Sequence, residues 1–312
     1  MQISHDVNEI LFNRESIVTV GTFDGVHLGH QAILNEVVRR SKLYGARSVL
    51  VTFDPHPREV VGRGPVEYLT TVPERLHKIE HFGLDEALVI NFTFEFSRLG
   101  PREFYQLLST HIGLREVIVG YDHMFGKDRT GGIEELEKIG SMIGFTATRV
   151  EPVLLRDKVI SSSVIRRMLN AGDVTTSIQL LGEPYSLTGL VIKGDSRGKG
   201  LGFPTANLNV IEPKKLVPPI GVYAVIVRYQ EKKYFGMMNI GVRPTFTQNQ
   251  DRVLEVHMFD FNENIYHKEL QIQFLKYIRP EKKYSSRDEL VIQLQADRKE
   301  CLKYISENYH RS

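Results

Sequence analysis

The feature that most constrains the fold is a change in the order of predicted strands and helices near residue 181. Before this point, strand-like runs alternate with segments of helical periodicity, as in "SIVTVGTF" (16–23), "HLGHQAILNEVVRRSKLYG" (27–45) and "RSVLVTF" (47–53). Such alternation predicts a parallel sheet with helices on both faces. After this point, strand-like runs follow one another directly, as in "YSLTGLVIKG" (185–194) and "GVYAVIVRYQ" (221–230). That pattern predicts an antiparallel sheet or small barrel.

The same change in pattern predicts where the chain divides. A length of 312 residues suggests two domains more readily than one. The helical pattern stops in the segment Leu181 to Pro184, so we expect domains at 1–181 and 182–312. Residue types at helix ends support the individual elements: Gly45 should end the first helix, Thr71 should cap the helix after the second strand, and Ser286 should cap a C-terminal helix.

Composition narrows the class of protein. Lys and Arg total 40 against 38 for Asp and Glu, a net charge of +2, which gives no reason to expect nucleic-acid or membrane binding. Cys301 is the only cysteine, so an intramolecular disulfide is impossible and a reducing, cytoplasmic setting is the simplest expectation. The N-terminus has no signal-peptide pattern, and no apolar run approaches the roughly 20 residues of a membrane span. No protein partner is evident from the sequence.

Two histidines mark the junction between the first strand and the first helix. In "GTFDGVHLGH" (21–30), His27 and His30 lie three residues apart and therefore share one face of the first helical turn. Carboxyl ends of parallel strands bind ligands, and a helix N-terminus favours phosphate. Both imidazoles are therefore predicted to face one phosphate cluster, which Gly29 lets approach the backbone. The alternative is a zinc or core-histidine pair, although no Cys/His cluster supplies further zinc ligands.

The string "GTFDGVHLGH" resembles the HxGH signature of nucleotidyltransferases. The later strings "TFDPHP" (52–57), "VGYDHMFG" (119–126) and "ISSSVIRRML" (160–169) resemble, in order, those of the bacterial bifunctional riboflavin kinase/FMN adenylyltransferase family. The resemblance covers nearly the whole chain and implies a Rossmann-like α/β nucleotidyltransferase module. It implies catalytic contacts of His27 and His30 with ATP phosphates. It also implies a set of nucleotide-binding residues in this half: Gly21, Phe23, Asp24, Gly29, Asp122, Ser162 and Arg166.

The serine cluster before the last helix of this half also suits an anion. One of Ser161, Ser162 and Ser163 is expected to cap the helix, which leaves another hydroxyl for a ligand. Arg166 follows within a turn, and a guanidinium suits phosphate. Plain capping beside surface arginines is the alternative. Asp54 and His56 are interpreted as lining of the pocket rather than as catalysts.

The second half carries a glycine-rich segment, "GDSRGKGLGFPTANL" (194–208), with four glycines in nine residues. It lacks the Gly-Lys-Ser/Thr of a P-loop, and a flexible surface loop is the alternative. Within it, Thr205 and Asn207 alternate onto one side of an extended segment, where a hydroxyl and an amide oxygen can hold Mg²⁺ beside phosphates. "PTAN" resembles the signature of riboflavin kinases. The residues of this segment that are predicted to bind ATP are Gly194, Lys199, Gly200, Thr205 and Asn207.

A kinase of this kind needs a metal on the phosphates, cations for developing charge, and a proton acceptor. In "RVLEVHMFDF" (252–261), Glu255 lies between Leu254 and Val256, so it should face away from the core that they enter. The resemblance places the catalytic glutamate at Glu255, which would accept the proton of the ribityl 5′-hydroxyl. A solvent-facing strand glutamate is the alternative.

The family resemblance implies a β-barrel riboflavin kinase module with a C-terminal helix in this half. "YIRPEKKY" (277–284) resembles the segment lining the flavin pocket, which makes Arg279 and Tyr284 candidate flavin contacts. The chain departs from the family pattern at His123, where an aromatic residue is usual, and at His267, where glycine is usual.

The sequence therefore predicts a two-module enzyme that phosphorylates riboflavin to FMN and adenylylates FMN to FAD. Its expected ligands are ATP with Mg²⁺, riboflavin, FMN and FAD. Two alternatives remain: a riboflavin kinase with a degenerate adenylyltransferase module, motivated by His123, and a non-catalytic flavin-binding regulator. The presence of Glu255, Thr205 and Asn207 argues against the regulator.

Overall fold

The computed structural model describes residues 1–62, 64–121, 132–194, 200–242 and 252–309. The chain divides into two compact units, Met1–Ser162 and Ser163–Ser312. Among the described residues, no helix combines the length and apolarity that a membrane span requires.

The first unit alternates strands and helices. Its strands are β1 (Gln2–Ser4), β2 (Ser16–Val20), β3 (Arg47–Asp54), β4 (Glu86–Asn91), β5 (Glu116–Gly120) and β6 (Thr146–Val150). Its helices are α1 (Leu28–Tyr44), α2 (Pro57–Val60), α3 (Val72–Glu80), α4 (Pro101–His111) and α5 (Ile133–Ile143), with 3₁₀ turns at Val7–Glu9 and Phe96–Arg98. In the described residues the strands form one sheet in the order β1-β4-β3-β2-β5-β6, and every pair is parallel. The predicted parallel α/β sheet is confirmed.

Two apolar layers cover the sheet, one on each face. On β2, Val18 joins a cluster with residues of α4 and α5, whereas Ile17 joins a cluster with residues of α1 and α3. Successive side chains of a strand point to opposite faces, so a central strand under two layers buries the residues of both faces. This explains why all five residues of β2 are buried.

A small hairpin and two helices follow the sheet. The hairpin pairs β7 (Leu154–Leu155) with β8 (Lys158–Val159), and the helices are α6 (Ser162–Asn170) and α7 (Val174–Leu181). Helix α7 packs against a barrel strand of the second unit, β14 (Glu269–Arg279). The compact units therefore divide before α6, while the predicted boundary at Leu181 follows α7.

The second unit is a closed barrel with a helix on its outer surface. Its strands are β9 (Ser186–Ile192), β10 (Ala206–Val210), β11 (Gly221–Tyr229), β12 (Lys232–Val242), β13 (Arg252–Met258) and β14 (Glu269–Arg279), and its last helix is α8 (Arg287–Tyr309). The strands close in the order β10-β13-β12-β11-β14-β9, and each neighbouring pair is antiparallel. An apolar cluster joins Ala224 and Leu275 on the barrel to Cys301 and Ile305 on α8. The predicted barrel and C-terminal helix are confirmed.

Helix ends follow the sequence closely. Gly45 ends α1 with a left-handed φ of 60°, where a glycine carries no Cβ penalty. Thr71 caps α3 and forms a reciprocal capping box with Glu74. The Ser286 hydroxyl accepts the backbone N–H of Glu289 at 3.2 Å, so it caps α8. These three predictions are confirmed.

Candidate active sites

The turn between β2 and α1 is unusually constrained. Phe23 has a φ of 49° and Val26 a φ of 44°, and Gly25 between them has a φ of 89°. Such values are uncommon for residues with side chains and persist only where the surroundings enforce them. Burial supplies that enforcement, because the side chains of Phe23 and Val26 belong to the core cluster beneath the turn. The turn is therefore held rigid directly before the histidine pair.

His27 and His30 are brought together as predicted. Their rings stack with centroids 3.6 Å apart and planes 17° from parallel. His27 is the N-cap of α1, and its Nδ1 accepts the backbone N–H of His30 at 3.3 Å. Since a backbone N–H can only donate, Nδ1 of His27 carries the lone pair and Nε2 carries the proton. The pair thus lies at a helix N-terminus, where anions are stabilised.

Burial controls the charge of His30. It lowers the pKa of His30 well below 6.5, and the charges of His27 and Arg75 lower the pKa further. His30 is therefore neutral at pH 7. Within the described part of the chain, its buried Nδ1 has no hydrogen-bond partner. A neutral His30 ring places no positive charge next to His27, so it causes no electrostatic repulsion between the two stacked rings. The His30 ring can therefore face a ligand.

A buried arginine whose charge acts on His30 was not predicted from the sequence. Arg75 on α3 is 5% exposed, and its Nη1 donates to the carbonyl of Thr22 and, at 2.7 Å, to Oγ1 of Thr52. Its Nε is buried without a hydrogen-bond partner among the described residues. Burial lowers its pKa, which the charges of Asp24 and Asp54 oppose. Arg75 therefore places a cation between the β2–α1 turn and the end of β3.

The sequence did contain a signal for Arg75. It lies four residues before Ile79, which is fully buried, so the two share a face of α3. A charged residue on the apolar stripe of a helix needs a partner inside the protein.

Asp24 is also buried, but its carboxylate is already engaged. It accepts the backbone N–H groups of Leu69 and Thr70, at 3.2 and 2.8 Å, and the Thr70 hydroxyl at 3.1 Å. Its backbone carbonyl accepts the Ser162 hydroxyl at 2.9 Å. Asp24 thus ties the turn to the segment before α3 and to the start of α6. These contacts make it a fixed wall of the site.

Two glycines allow the rings to approach the backbone. A Cβ at Gly29 would lie 3.2 Å from the His27 ring, and one at Gly21 would lie 3.0 Å from the Phe23 ring. Gly29 therefore leaves room for the imidazole itself, in addition to the predicted approach of phosphate. Arg166 lies on α6 in the second compact unit, so its contact with the phosphates stays a prediction. Asp122 and His123 lie outside the described residues.

The second site lies on the outer face of the barrel. In the strand registers, Glu255 on β13 stands directly opposite Asn207 on β10 and opposite Asn239 on β12. Leu254 and Val256 are buried, whereas Glu255 is half-buried, which confirms that Glu255 faces away from the core. Directly opposed residues of antiparallel strands share a face. A carboxylate therefore lies between two amides.

Asn239 is a second residue that was not predicted from the sequence, because its place opposite Glu255 becomes clear only from the register of β12.

Asn207 is 7% exposed and packs on Gly194, where a Cβ would clash with its side-chain amide. Thr205 immediately precedes β10, and the carbonyl of Gly200 accepts a hydrogen bond from Arg287. Lys199 lies outside the described residues.

The side chains near Glu255 could supply part of the oxygen coordination that a hard cation such as Mg²⁺ requires. Among the described residues, no cluster of three His, Cys, Asp or Glu side chains could hold a metal ion. The hydroxyl of Thr205 and the amide of Asn207 are hard oxygen donors, and Mg²⁺ commonly takes few protein ligands together with phosphates and water. The residues present therefore fit a magnesium ion that arrives with a nucleotide.

Arg279 and Tyr284 lie close together at the end of β14. The Arg279 guanidinium forms a two-pronged ion pair with Asp297 on α8, with Nε–Oδ1 at 2.8 Å and Nη2–Oδ2 at 2.7 Å. Asp297 is 2% exposed, and this hydrogen-bonded pairing raises the pKa of Arg279. The guanidinium carbon lies 5.9 Å from the centre of the Tyr284 ring, and burial raises the pKa of that tyrosine. Their predicted contact with flavin stays a prediction.

Comparisons with known proteins match the two halves of the chain to two different family models. A family model described as FAD synthetase matches residues 10–164, and one described as riboflavin kinase matches residues 181–305. The bifunctional riboflavin kinase/FMN adenylyltransferase of Bacillus subtilis is 36% identical over 94% of this chain and 93% of its own. The Escherichia coli protein of that name is 34% identical over 90% of each chain.

A solved structure is also similar over the whole chain. It is described as a macrolide-efflux protein from Streptococcus pneumoniae, and it matches with a TM-score of 0.88, 29% identity and 98% coverage of each chain. Identity above 30% over nearly the full length of several relatives that share one name decides the assignment. The chain belongs to the bifunctional riboflavin kinase/FMN adenylyltransferase family.

Proposed function

We propose that this chain makes FMN and FAD with two separate sites. Residues 182–312 phosphorylate riboflavin with MgATP, and residues 1–181 transfer AMP from ATP to FMN and release pyrophosphate. The observation that carries the proposal is that His27 and His30 lie within the segment matched by the FAD synthetase model, and Glu255 within the segment matched by the riboflavin kinase model. The relatives that bear both activities in their name cover both segments.

In the kinase step, Glu255 accepts the proton of the terminal ribityl hydroxyl of riboflavin. The freed oxygen forms a bond to the γ-phosphorus of ATP, the bond to the β–γ bridging oxygen breaks, and ADP leaves. Thr205 and Asn207 would hold Mg²⁺, which neutralises charge on the phosphates when it is bound. Gly194, Lys199 and Gly200 hold the nucleotide, and Arg279 and Tyr284 contact the flavin.

Asn239 is a further residue of the proposed kinase site. Asn207 and Asn239 stand opposite Glu255 on the two neighbouring strands, where their amides can orient the carboxylate before the substrate arrives. The amides are uncharged, so neither of them neutralises the carboxylate that accepts the proton.

In the adenylyl step, an oxygen of the FMN phosphate attacks the α-phosphorus of ATP and pyrophosphate leaves. The attacking phosphate is already ionised at pH 7, so no general base is required. His27 donates through Nε2–H, and His30 and the buried cation of Arg75 stabilise the charge that develops. Gly21, Phe23, Asp24 and Gly29 form the nucleotide pocket, to which Asp122, Ser162 and Arg166 contribute.

Chromatography of flavin products tests this function directly. The full-length protein is incubated with ATP and Mg²⁺ and with either riboflavin or FMN as the flavin. We expect FMN and FAD from riboflavin, and FAD from FMN. Formation of FMN without FAD would identify a kinase with a degenerate adenylyltransferase half. No conversion of either flavin would favour the non-catalytic flavin-binding regulator. A location in the cytoplasm, with ATP and flavins as the only partners, belongs to the same proposal.

A further inference from the structure

We infer that His257 is a positioning residue of the kinase site, which holds the segment carrying Thr205 and Asn207 in place beside Glu255. The inference rests on the proposed kinase function. It assigns a role to a residue that is neither a proposed magnesium ligand nor the proposed base. It concerns a side chain that lies two residues after Glu255 on β13. Because strand side chains alternate, Glu255 and His257 lie on the same outer face of the barrel.

A hydrogen bond joins His257 to the glycine-rich segment. Its Nδ1 lies 2.7 Å from the carbonyl oxygen of Pro204. Since a carbonyl only accepts, Nδ1 carries the proton. Pro204 immediately precedes Thr205, so the bond fastens the chain at the residue before the first of the two magnesium donors. It therefore ties those donors to the strand that carries the base.

The imidazole is held in place by two aromatic rings. His257 is 9% exposed, and its ring centre lies 5.3 Å from that of Phe203 and 5.7 Å from that of Phe259, both in edge-on arrangements. Phe203 and Phe259 belong to the cluster that packs α8 on the barrel. Burial lowers the pKa of His257, so the ring is neutral at pH 7. Protonation would occur at Nε2 and would leave the Nδ1–H donor unchanged.

The backbone around Pro204 explains why such a bond is needed. Strand pairing of β10 begins at Ala206, so the ladder with β13 fixes Asn207 but begins after Thr205. Pro204 has no backbone N–H, and Gly202 has a φ of 80°, which lets the chain turn sharply before it. The carbonyl of Pro204 is therefore the group through which β13 can order this part of the segment.

The test compares three variants of the full-length chain. His257→Phe keeps a planar ring and removes the donor. His257→Asn keeps a donor at a place close to that of Nδ1, whereas His257→Gln moves the donor one bond further out. The matched control is His267→Asn, at an exposed histidine of the same unit with a φ of 61°, a conformation that asparagine tolerates.

The readouts are the half-saturating Mg²⁺ concentration, the kcat and the KM for riboflavin in the kinase reaction, with FAD formation from added FMN as the test of an intact protein. For His257→Phe and His257→Gln, we expect a five- to tenfold higher half-saturating Mg²⁺ concentration or lower kcat, about the effect of one hydrogen bond. The KM for riboflavin should change little. His257→Asn should restore near-normal values, and His267→Asn should match the wild type.

Two results would overturn the inference. Wild-type Mg²⁺ dependence and kcat in both His257→Phe and His257→Gln would show that the bond does not order the site. Equal impairment of the Asn, Gln and Phe variants would show that His257 acts only through packing. Absence of FMN formation by the wild type is a different result, because it would overturn the proposed kinase function and this inference with it.

Discussion

Glu255→Gln isolates the chemistry of the kinase step from the shape of its site. Glutamine has nearly the volume of glutamate and keeps a hydrogen-bonding end opposite Asn207 and Asn239 on the two neighbouring strands. It cannot accept the proton of the riboflavin hydroxyl. General-base catalysis typically contributes 10²–10⁴ to a rate, or about 3 to 5 kcal/mol of the barrier.

Binding and folding should change far less than the rate. The amide of Asn207 is fixed by its packing on Gly194, which the substitution does not touch. Glu255 is half-buried, so an isosteric change should alter the free energy of unfolding by no more than about 1 kcal/mol. We therefore expect the chemical step to slow by at least 100-fold, with the affinities for riboflavin and ATP changed little.

Single-turnover phosphorylation at saturating MgATP measures that step. The control is Glu281→Gln, because the Glu281 carboxylate lies beside Asn239, where a Cβ at Gly241 would contact both side chains. Glu281→Gln should leave the chemical step near normal. An unchanged step in Glu255→Gln, or a larger loss in Glu281→Gln, would refute the assignment of the base.

Arg75, the two buried histidines and helix α7 each give a further test. Arg75→Met should lower the rate of FAD formation by about 10- to 100-fold, as expected for a lost charged hydrogen-bond donor, while riboflavin phosphorylation stays normal. Arg75→Lys should recover part of the rate, and an unaffected Arg75→Met enzyme would exclude the cation from the site. His30 and His257 both have lowered pKa values when folded, so the unfolded chain binds more protons below about pH 6.5. The free energy of unfolding should therefore fall as the pH drops from 6.5, by up to about 1.4 kcal/mol per pH unit for each histidine. Urea titrations at several pH values should show a smaller fall in the His30→Gln variant than in the wild type. A fragment that starts at Gly182 should convert riboflavin to FMN, but one that starts at Ser163 should melt at a higher temperature, because α7 packs on β14. Equal melting temperatures would show that α7 adds nothing to the barrel.

The parts of the fold that the sequence predicted are those with strong burial or special backbone geometry. All five residues of the central strand β2 are buried, because both of its faces are covered. Gly45, Thr71 and Ser286 were found because few residue types suit those helix ends. The edge strands β1 and β6 were missed, since β1 has three residues and the side chains of β6 are half-buried or exposed. An edge strand that faces solvent has no need of an apolar run.

The same distinction applies to the candidate sites. His27 and His30 were paired correctly because their contact is local and follows from helical spacing. The place of Asn239 opposite Glu255 depends on the register between β12 and β13, which no local spacing in the sequence fixes. Arg75 meets Thr22 and Thr52 only after α3 packs on the sheet. The spacing from Ile79 indicates only that Arg75 is buried, so the partners of Arg75 became visible only in the folded chain.

The central claim is that two independent sites in one chain act in sequence on the flavin. Its most direct test measures FMN and FAD by chromatography for the wild type, for Glu255→Gln and for the double variant His27→Ala/His30→Ala, with riboflavin or FMN supplied. The account predicts that Glu255→Gln forms FAD from added FMN but little FMN from riboflavin. It predicts that the double variant forms FMN from riboflavin and accumulates it without FAD. Loss of both activities in either folded variant would contradict the account.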